Sequence, residues 1–464
     1  MAMWDLLVLT AGSERQKRDF ELLLDEVDVS IYCRKALIIP DFPEGVRIGS
    51  GGATLNVLRS IEGQSKGQKV LLIHSGGLSQ RLPHVSAFGK IFATLPNGNT
   101  VLETKLRTYR SLPTMLPSGL LVAASDVLED VSAFRKCDLS SDMIVFATES
   151  NLKVASDHGV FVMDNGCLKS VLQKPSLDDM KAAGAILPSG NALTDCFFWI
   201  SWRTCEQLVS LWRFRGPCTV ETCCYGDFMR PLGSKPLLDY LTKGNAEVSS
   251  WRRAFADVFS KISPEIINLG TDAFFHLGTP REFLEHCKED STFSKKFLGT
   301  FTNAVHCNLT NCRIGSDSLL EYCKFDGANI GKGCIVSGCE YNEKFELDDY
   351  SILFTLCIGD QCYTTILLRM DNDVKTKKSS LRWMGQETGL RDVSLWDAKL
   401  FPIEKDRERS LRAMLGMVKG IEPSGERISI AEAMMASNVK EMVAYRRRLK
   451  ADTLKHQPPS FACP

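Results

Sequence analysis

The first 200 residues alternate short apolar runs with segments whose apolar positions recur at helical spacing. Apolar runs of this kind, bounded by turn residues, are typical of buried parallel strands. We predict strands at residues 6–9, 36–39, 70–73, 119–124, 143–146, 160–163, 171–173 and 197–200. Helices are predicted at residues 14–25, 54–62 and 100–109. The alternation predicts an α/β domain with a mostly parallel sheet, in which ligands bind at the carboxyl ends of the strands.

The pattern changes after about residue 300, where a short repeat begins. Residues 313–325 and 329–341 match at a shift of 16, with an Ile-Gly pair at the same place in each. The matching positions are Ile314/Ile330, Gly315/Gly331, Leu319/Ile335, Leu320/Val336 and Cys323/Cys339. Such a repeat is typical of a parallel β-helix, whose coils stack because none buries its apolar face alone. A pair of ordinary β-hairpins is the alternative.

Two helical segments follow, at residues 404–418 and 429–449. The second ends in the basic run Arg446-Arg447-Arg448, which favours the helix dipole and which we interpret as a solvated helix end. Three domains are therefore expected: residues 1–300, a β-helix at 301–370 and a helical region at 371–464.

Composition narrows the function classes. The formal net charge of the 464 residues is zero, which gives no electrostatic signature of binding to nucleic acid or to an anionic membrane. A polar stretch follows the first strand where a secretory leader would stay apolar, so the 17 cysteines are expected to be reduced and the location cytoplasmic. Three cysteine pairs lie five residues apart, and we favour buried apolar positions over a zinc site for them.

Two glycine-rich segments are candidates for phosphate binding. Residues 49–54 open a helix, and residues 74–82 follow the strand at 70–73. Glycines allow close backbone approach, and N–H groups at a helix start favour phosphate. The expected nucleotide-binding residues are Gly49, Gly51, Gly52, Thr54, Ser75, Gly76, Gly77 and Gln80, with the cations Arg81 and Lys90 downstream. A pair of tight turns is the alternative.

A carboxylate and a lysine stand at two further strand ends. Asp126 comes just after the apolar run at residues 119–124, where it is either a Mg²⁺ ligand or the N-cap of a following helix. Lys174 ends a predicted hairpin with an Asp-Asn-Gly turn. The Lys174 ammonium either binds a sugar phosphate or is solvated.

In this order, the motifs resemble those of the sugar nucleotidyltransferases. The residues that carry the resemblance are Gly76-Gly77-Leu78-Ser79-Gln80-Arg81-Leu82, Lys90, Asp126, Gln173-Lys174-Pro175 and His276-Leu277-Gly278-Thr279-Pro280. The resemblance implies a Rossmann-like nucleotidyltransferase domain followed by a short left-handed parallel β-helix. Three departures stand out: Ser79-Gln80 replaces Gly-Thr, Gln173 replaces Glu, and His276 stands at the position of a second metal carboxylate.

Within that family, the motifs are most similar to the fucose-1-phosphate guanylyltransferase branch. The stretches involved are residues 48–55, 72–83, 89–92, 158–161, 225–228, 275–279 and 394–396. This similarity implies that GTP and L-fucose 1-phosphate are converted to GDP-L-fucose and pyrophosphate with Mg²⁺ as cofactor. The sugar phosphate would attack the α-phosphorus in line.

The resemblance also implies roles for single residues. Arg81 and Lys90 would hold the triphosphate, Asp126 the Mg²⁺ and Lys174 the sugar phosphate. Asp195 would bind sugar hydroxyls. The second metal ligand stays open between Asp227 and His276, with Asp195 a further candidate.

Two other functions compete with this one, and the oligomeric state stays open. The first is a non-catalytic sugar-nucleotide sensor or regulatory subunit, since one fold hosts many functions. The second is an acyltransferase acting from the coils, for which His306 is the candidate histidine. Lys90 and Asp126 favour the enzyme, because a sensor needs no metal-assisted stabilisation of a leaving group.

Overall fold

The computed structural model describes residues 3–64, 66–135 and 140–456. Two compact units divide the chain, and each combines two separate stretches of sequence. The first unit comprises Met1–Gly77 and Leu102–Phe275, and the second comprises Leu78–Val101 and His276–Pro464. The domain boundaries expected at residues 300 and 370 stay a prediction.

The first unit is an α/β structure. Two of its elements extend by one residue into the second unit, one at Val101 and the other at His276. Its strands are β1 (Leu6–Ala11), β2 (Ala36–Pro40), β3 (Lys69–His74), β4 (Gly119–Ala124), β5 (Val127–Glu129), β6 (Met143–Ser150), β7 (Gly159–Asp164), β8 (Cys167–Gln173), β9 (Ala192–Ser201), β10 (Glu265–Thr271) and β11 (Phe274–His276). The helices are α1 (Glu14–Leu24), α2 (Gly49–Ser60), α3 (Val101–Thr108), α4 (Leu112–Met115), α5 (Leu152–Ala155), α6 (Leu177–Ala183), α7 (Trp202–Arg215) and α8 (Ala246–Phe259).

The main sheet is mostly parallel, as predicted. Its order is β10-β6-β9-β4-β3-β1-β2, and the hairpin β7–β8 joins it through β9. Neighbours β2, β1, β3 and β4 run parallel, as do β6 and β10, while β9 is antiparallel to β4, β6 and β7. The apolar runs of β1 and β4 are buried, because helices pack on the sheet.

The predicted hairpin turn also forms. Asp164 pairs with Cys167, and the two residues between them have positive φ: 49° at Asn165 and 80° at Gly166. Two left-handed residues are what a tight two-residue hairpin turn requires, and Asn-Gly provides them at low cost. The turn brings β8 back beside β7 and so fixes where Gln173 and Lys174 lie.

The second unit contains stacked coils followed by helices. Its strands are β12 (Ala304–Val305), β13 (Asn308–Thr310), β14 (Arg313–Ile314), β15 (Leu319–Glu321), β16 (Lys324–Asp326), β17 (Ala328–Ile330), β18 (Ile335–Ser337), β19 (Glu340–Tyr341), β20 (Phe345–Leu347), β21 (Ser351–Ile358), β22 (Cys362–Arg369), β23 (Arg382–Trp383), β24 (Gln386–Glu387), β25 (Phe401–Pro402) and β26 (Arg427–Ile428). The helices are α9 (Pro280–His286), α10 (Arg407–Val418), α11 (Ile430–Ala436) and α12 (Val439–His456).

Parallel pairing confirms the β-helix and rules out hairpins for the repeat. Ile314 pairs with Ile330, and Leu320 pairs with Val336, at the predicted shift of 16. Three short sheets result, in the orders β12-β15-β18-β21, β13-β16-β19 and β14-β17-β20. Antiparallel β22 then pairs with β21 and ends the stack. The handedness of the coils stays a prediction.

The Ile-Gly corners are glycine because the coils approach each other closely there. A Cβ atom on Gly331 would lie 2.5 Å from the backbone nitrogen of Asp349. Replacing Gly331 by Ala is therefore expected to lower the free energy of unfolding by about 1–3 kcal/mol, the usual cost of overpacking. Chemical denaturation measures the loss. Gly416→Ala in α10 is the control, since a Cβ there would lie 3.7 Å from its nearest neighbour, the side chain of Ile421. Equal stability of Gly331→Ala and the unchanged protein would contradict the tight corner.

Most of the described cysteines are buried, reduced residues. All 15 cysteines within the described ranges are free thiols. Cys323 and Cys339 are stacked in neighbouring coils, and burial raises the pKa of both thiols far above the usual range. Across residues 3–64, 66–135 and 140–456, no group of three or more His, Cys, Asp or Glu side chains is arranged to hold a metal ion. In the three pairs, Cys334, Cys339 and Cys357 are buried, which favours the packing role for them, whereas Cys307, Cys312 and Cys362 are half-buried.

The predicted helix at residues 429–449 is in fact two helices. It breaks at Ser437, which forms a β-bridge with Ile358, and at Asn438, whose N–H donates to the carbonyl of Cys357. The Asn438 side chain then accepts from the N–H of Glu441 and caps α12. Pairing with β21 therefore interrupts a segment that is helical by local preference. No helix in the described parts of the chain is long and apolar enough to cross a bilayer.

Candidate functional site

Three parallel strands, β1, β3 and β4, end at one edge of the sheet, where the glycine-rich loop lies. The hydroxyl of Thr10, near the end of β1, accepts hydrogen bonds from the N–H groups of Ser75 (3.0 Å) and Gly76 (3.1 Å). A Cβ on Gly76 would lie 2.9 Å from the backbone of Ala11. Glycine at position 76 therefore permits close contact between two loops of this chain.

Gln16 of α1 joins the same two loops. Its side-chain oxygen accepts from the N–H groups of Gly12 (2.6 Å) and Gly77 (3.3 Å), and its amide nitrogen donates to the Gly77 carbonyl (2.9 Å). Neither Thr10 nor Gln16 was predicted from the sequence. The available signal was the Thr-Ala-Gly-Ser stretch at the end of the first strand, with Ser13 capping α1. Nucleotide binding by Ser75, Gly76 and Gly77 stays a prediction.

Asp126 lies beside this loop. It sits in the turn between β4 and β5, and the N–H of its neighbour Ser125 donates to the His74 carbonyl at 3.2 Å. A strand follows Asp126, so the alternative of a helix N-cap is wrong. The side chain is half-buried at the carboxyl end of a parallel strand, where ligands bind in open α/β sheets.

A buried ion pair fixes the turn that holds Asp126. Lys105 and Glu129 are both fully buried, and the Lys105 ammonium lies 2.5 Å from the Glu129 carboxylate. The same ammonium donates to the carbonyl of Val127 at 2.7 Å. Separating the pair would leave a buried charge without its partner, so the pair holds strand β5 in one position. Nothing in the sequence pattern distinguished Lys105 from a solvated lysine.

The glycines at the start of α2 pack against the chain itself. The N–H of Gly51 donates to the carbonyl of Thr222 at 3.0 Å, and a Cβ on Gly51 would lie 2.7 Å from the Thr222 hydroxyl. On Gly52 a Cβ would lie 2.7 Å from the Cβ of Ile48. Gly49 begins the helix with φ 66°. These contacts explain the glycines without a ligand, and the nucleotide-binding role of Gly49, Gly51 and Gly52 stays a prediction.

Thr54 has two partners within the first unit. Its hydroxyl donates to the Ser50 carbonyl at 2.8 Å and lies 3.0 Å from Nε2 of His74. Burial lowers the pKa of His74 to about 4, so the ring is neutral at pH 7. Thr54 thereby connects α2 to the end of β3, and its contact with a nucleotide stays a prediction.

Asp195 and Lys174 lie together at the same edge of the sheet. Strand β9 runs antiparallel to β4, so its early residues, Asp195 among them, lie where β4 ends. The Asp195 carboxylate accepts from the N–H of Gly159 at 2.9 Å. Burial raises the pKa of Asp195 to about 7, and the Gly159 hydrogen bond and the Lys174 ammonium oppose the rise. The predicted pairing of these two side chains with one ligand is thus compatible with the fold.

Gln173 and Lys174 form an unusual strand end. Lys174 has a φ of 49°, and its N–H donates to the His158 carbonyl at 2.9 Å. A left-handed conformation is uncommon outside glycine and occurs often at functional sites. The side-chain oxygen of Gln173 is buried and accepts no hydrogen bond from any described residue. Buried polar atoms nearly always have a partner, so this oxygen can accept a hydrogen bond that no described residue donates.

The raised pKa of Asp195 predicts a pH-dependent stability. Between about pH 4 and 7 the folded protein binds the Asp195 proton more tightly than the unfolded chain, so stability falls as pH rises through this window. We expect Asp195→Asn to gain stability relative to the unchanged protein by up to about 1.4 kcal/mol per pH unit there. Urea unfolding at several pH values measures it. Asp178→Asn, at an exposed position in α6, is the control. A constant difference across the window would contradict the shift.

Asp227, one candidate for the second metal ligand, is held by arginines. Its carboxylate lies 3.1 Å from Arg252 and 3.6 Å from Arg230, and it accepts from the N–H of Cys223 at 2.8 Å. The side chain is 3% exposed. Two guanidinium groups already neutralise this charge, which favours a structural role, and its metal role stays a prediction.

The remaining predicted residues belong to the second unit. Arg81 is exposed in a turn, Gln80 is half-buried, and Lys90 follows Gly89, whose φ is 77°. His276, the other candidate for the second metal ligand, lies 3.1 Å from the Glu282 carboxylate through Nδ1. The second ligand therefore stays open.

Comparison with known proteins reveals the family. The fucose pyrophosphorylase domain matches residues 64–411. Fucose-1-phosphate guanylyltransferase from Mus musculus is 27% identical, covering 96% of this chain and 92% of that protein. The Homo sapiens protein of the same name is 25% identical, covering 96% and 90%. The L-fucokinase/L-fucose-1-P guanylyltransferase of Bacteroides fragilis is 27% identical, covering 52% of this chain and 26% of that protein.

The domain match spans about three quarters of the chain, from before β3 into α10. It includes the Ser75 loop, Lys90, Asp126, Lys174 and Asp195, whereas the glycines of α2 lie before it. A match over this share of the sequence is far more than one shared motif. The chain belongs to the fucose pyrophosphorylase family.

Proposed function

We propose that this chain transfers a guanylyl group from GTP to L-fucose 1-phosphate, giving GDP-L-fucose and pyrophosphate. The observation that carries the proposal is the length of the similarity, which covers 96% of this chain and at least 90% of two fucose-1-phosphate guanylyltransferases. Family membership supports the base and the sugar. The cluster of loops at the ends of β1, β3 and β4 supports a ligand site at this edge.

The proposed reaction is an in-line displacement. A sugar-phosphate oxygen attacks the α-phosphorus of GTP, a new P–O bond forms, and the bond to the β-phosphate oxygen breaks as pyrophosphate leaves. Positioning and charge neutralisation supply most of the catalysis in phosphoryl-type transfers. Cations and polar groups held in fixed positions are therefore what the protein must contribute.

Asp126 is the proposed ligand for Mg²⁺. This ion prefers oxygen ligands and is usually bound by one or two carboxylates together with substrate phosphates and water. Asp126 fits that chemistry because it offers a half-buried carboxylate at a strand end in a turn held by Lys105 and Glu129. When bound, the ion neutralises charge on the phosphates.

Five side chains have proposed contacts with the substrates. Lys174 binds the phosphate of the sugar phosphate, and Asp195 accepts hydrogen bonds from sugar hydroxyls. The buried oxygen of Gln173 supports a hydroxyl-bearing ligand at this strand end. Arg81 and Lys90 bind the triphosphate and the leaving pyrophosphate. Each role is assigned to one side chain, so a single substitution at that residue tests it.

A screen of nucleoside triphosphates against sugar 1-phosphates, read by pyrophosphate release, tests the proposal. GTP with L-fucose 1-phosphate is expected to give the highest kcat/KM, and mass spectrometry should identify GDP-L-fucose. Higher turnover with another pair would overturn the substrate assignment. Tight binding of GDP-L-fucose without pyrophosphate release from any pair would instead favour the sensor.

A further inference from the structure

Arg446 of α12 is paired with a buried carboxylate, contrary to the expected solvated helix end. Its guanidinium lies 2.8 Å from the carboxylate of Glu321 in β15, and the two side chains are 12% and 3% exposed. Ser337 of β18 donates to the same carboxylate oxygen at 2.5 Å. Arg447 and Arg448, the next two residues, are exposed. One arginine of the run therefore has a specific role inside the second unit.

The same guanidinium lies between two aromatic rings. Its central carbon is 3.9 Å from the ring centre of Phe88 and 4.5 Å from that of Tyr322. Cation–π contacts strengthen when the cation is removed from water, as it is here. Burial lowers the pKa of nearby His84 to about 4, so at neutral pH this histidine adds no charge that would repel Arg446. The ion pair and the stacking together fix the ring of Phe88.

Phe88 is two residues from Lys90. It is 2% exposed, and only Gly89, with a φ of 77°, separates the two. Gly89 by itself would allow the backbone between Phe88 and Lys90 to adopt many conformations. A fixed Phe88 ring on one side and buried Ile91 on the other restrict where the Lys90 backbone lies.

We propose that Arg446 is a positioning residue for Lys90. It holds the Phe88 ring against the coils and thereby places the Lys90 ammonium for the leaving pyrophosphate. This inference rests on the proposed function of Lys90 and gives the C-terminal helix a part in the reaction. Arginine is required because its planar guanidinium stacks on both rings while it pairs with Glu321, and a lysine ammonium cannot reproduce the stacking.

The test combines Arg446→Lys with Lys90→Ala in a double-mutant cycle. In the unchanged background, Arg446→Lys is expected to lower kcat about 10- to 100-fold, the cost of a small misplacement of a catalytic group. The KM for L-fucose 1-phosphate should change by less than about twofold, since that substrate is bound by other groups. In the Lys90→Ala background the extra loss should vanish. Arg447→Ala, the exposed neighbour, is the matched control and should leave kcat unchanged.

The cycle separates positioning from a merely structural role. A variant that only lowers the folded fraction would lose the same factor with or without Lys90, and that additive result would overturn the inference. Should Arg446→Lys fail to fold, Phe88→Leu takes its place, because it removes the ring and leaves the pair of Arg446 with Glu321 intact. Additive losses for Phe88→Leu would overturn the inference equally.

Hydrogen exchange read by mass spectrometry needs no substrate and separates this inference from the proposed function. Arg446→Lys, or Phe88→Leu, is expected to speed exchange in the peptide around residues 84–92 and to leave peptides of β17 and β20 unchanged. Unchanged exchange around residues 84–92 would overturn the inference even if the enzyme is active. If the unchanged protein shows no turnover with any substrate pair, the proposed function fails, whatever the exchange result.

Discussion

Replacing Asp126 by asparagine is expected to lower kcat by about 10²–10³ while the protein stays folded, the range seen when one preorganised electrostatic group is removed. Asparagine has the shape of aspartate and preserves the turn between β4 and β5, but it lacks the charge that a Mg²⁺ ion requires. Lys105 also holds this turn through Val127 and Glu129, and the substitution leaves both of those contacts in place. Steady-state kinetics with circular dichroism measure the two effects separately.

Metal dependence should accompany this loss. Chelator is expected to abolish turnover of the unchanged protein, and added Mg²⁺ is expected to restore it. Asp178→Asn, which removes an exposed carboxylate on α6, should keep normal kcat and serves as the control. Near-normal turnover of Asp126→Asn would remove Asp126 from the metal site.

Replacing Lys90 by alanine is expected to lower kcat by about 10²–10³ as well, for a different reason. Negative charge develops on pyrophosphate as it leaves, so a cation that meets it acts more strongly in the transition state than in the bound substrate. Lys90 lies next to Gly89 and close to the fixed ring of Phe88, which gives its backbone a defined position. Initial rates over a range of GTP concentrations measure kcat and KM.

The pattern of the kinetic change decides the role of Lys90. Loss of kcat indicates a group that acts in the transition state, whereas a higher KM for GTP with normal kcat indicates uniform binding. The second result would contradict the assignment. Lys181→Ala, at an exposed position of α6, should change neither quantity and is the matched control.

Local sequence patterns predicted most strands because a buried strand appears in the sequence as a continuous run of apolar residues. The apolar runs predicted β1, β3 and β4 without knowledge of which helices pack on them, and the Asp-Asn-Gly turn needs only two left-handed residues. The coils followed from a shift of 16 residues, because stacked positions must repeat in sequence to repeat in space. Asp126 was likewise placed at a strand end by the apolar run before it.

Contacts between distant residues decided what the pattern could not. Thr10 and Ser75 are 65 residues apart, and the partner of Gly51 is Thr222 on a different segment. Arg446 and Glu321 are 125 residues apart, so nothing beside Arg446 in the sequence distinguishes it from Arg447.

The sequence by itself therefore determined the class of sheet, the β-helix, the turn of the β7–β8 hairpin and the strand ends that carry Asp126 and Lys174. Only the tertiary structure decided which polar groups are satisfied within the chain. It paired Asp227 with two arginines, left the oxygen of Gln173 without a donor among the described residues, and interrupted the last predicted helix at Asn438. The reason is physical: strand and coil formation follows the periodicity of neighbouring residues, whereas the desolvation of a charge or a polar atom depends on whichever distant group packs against it.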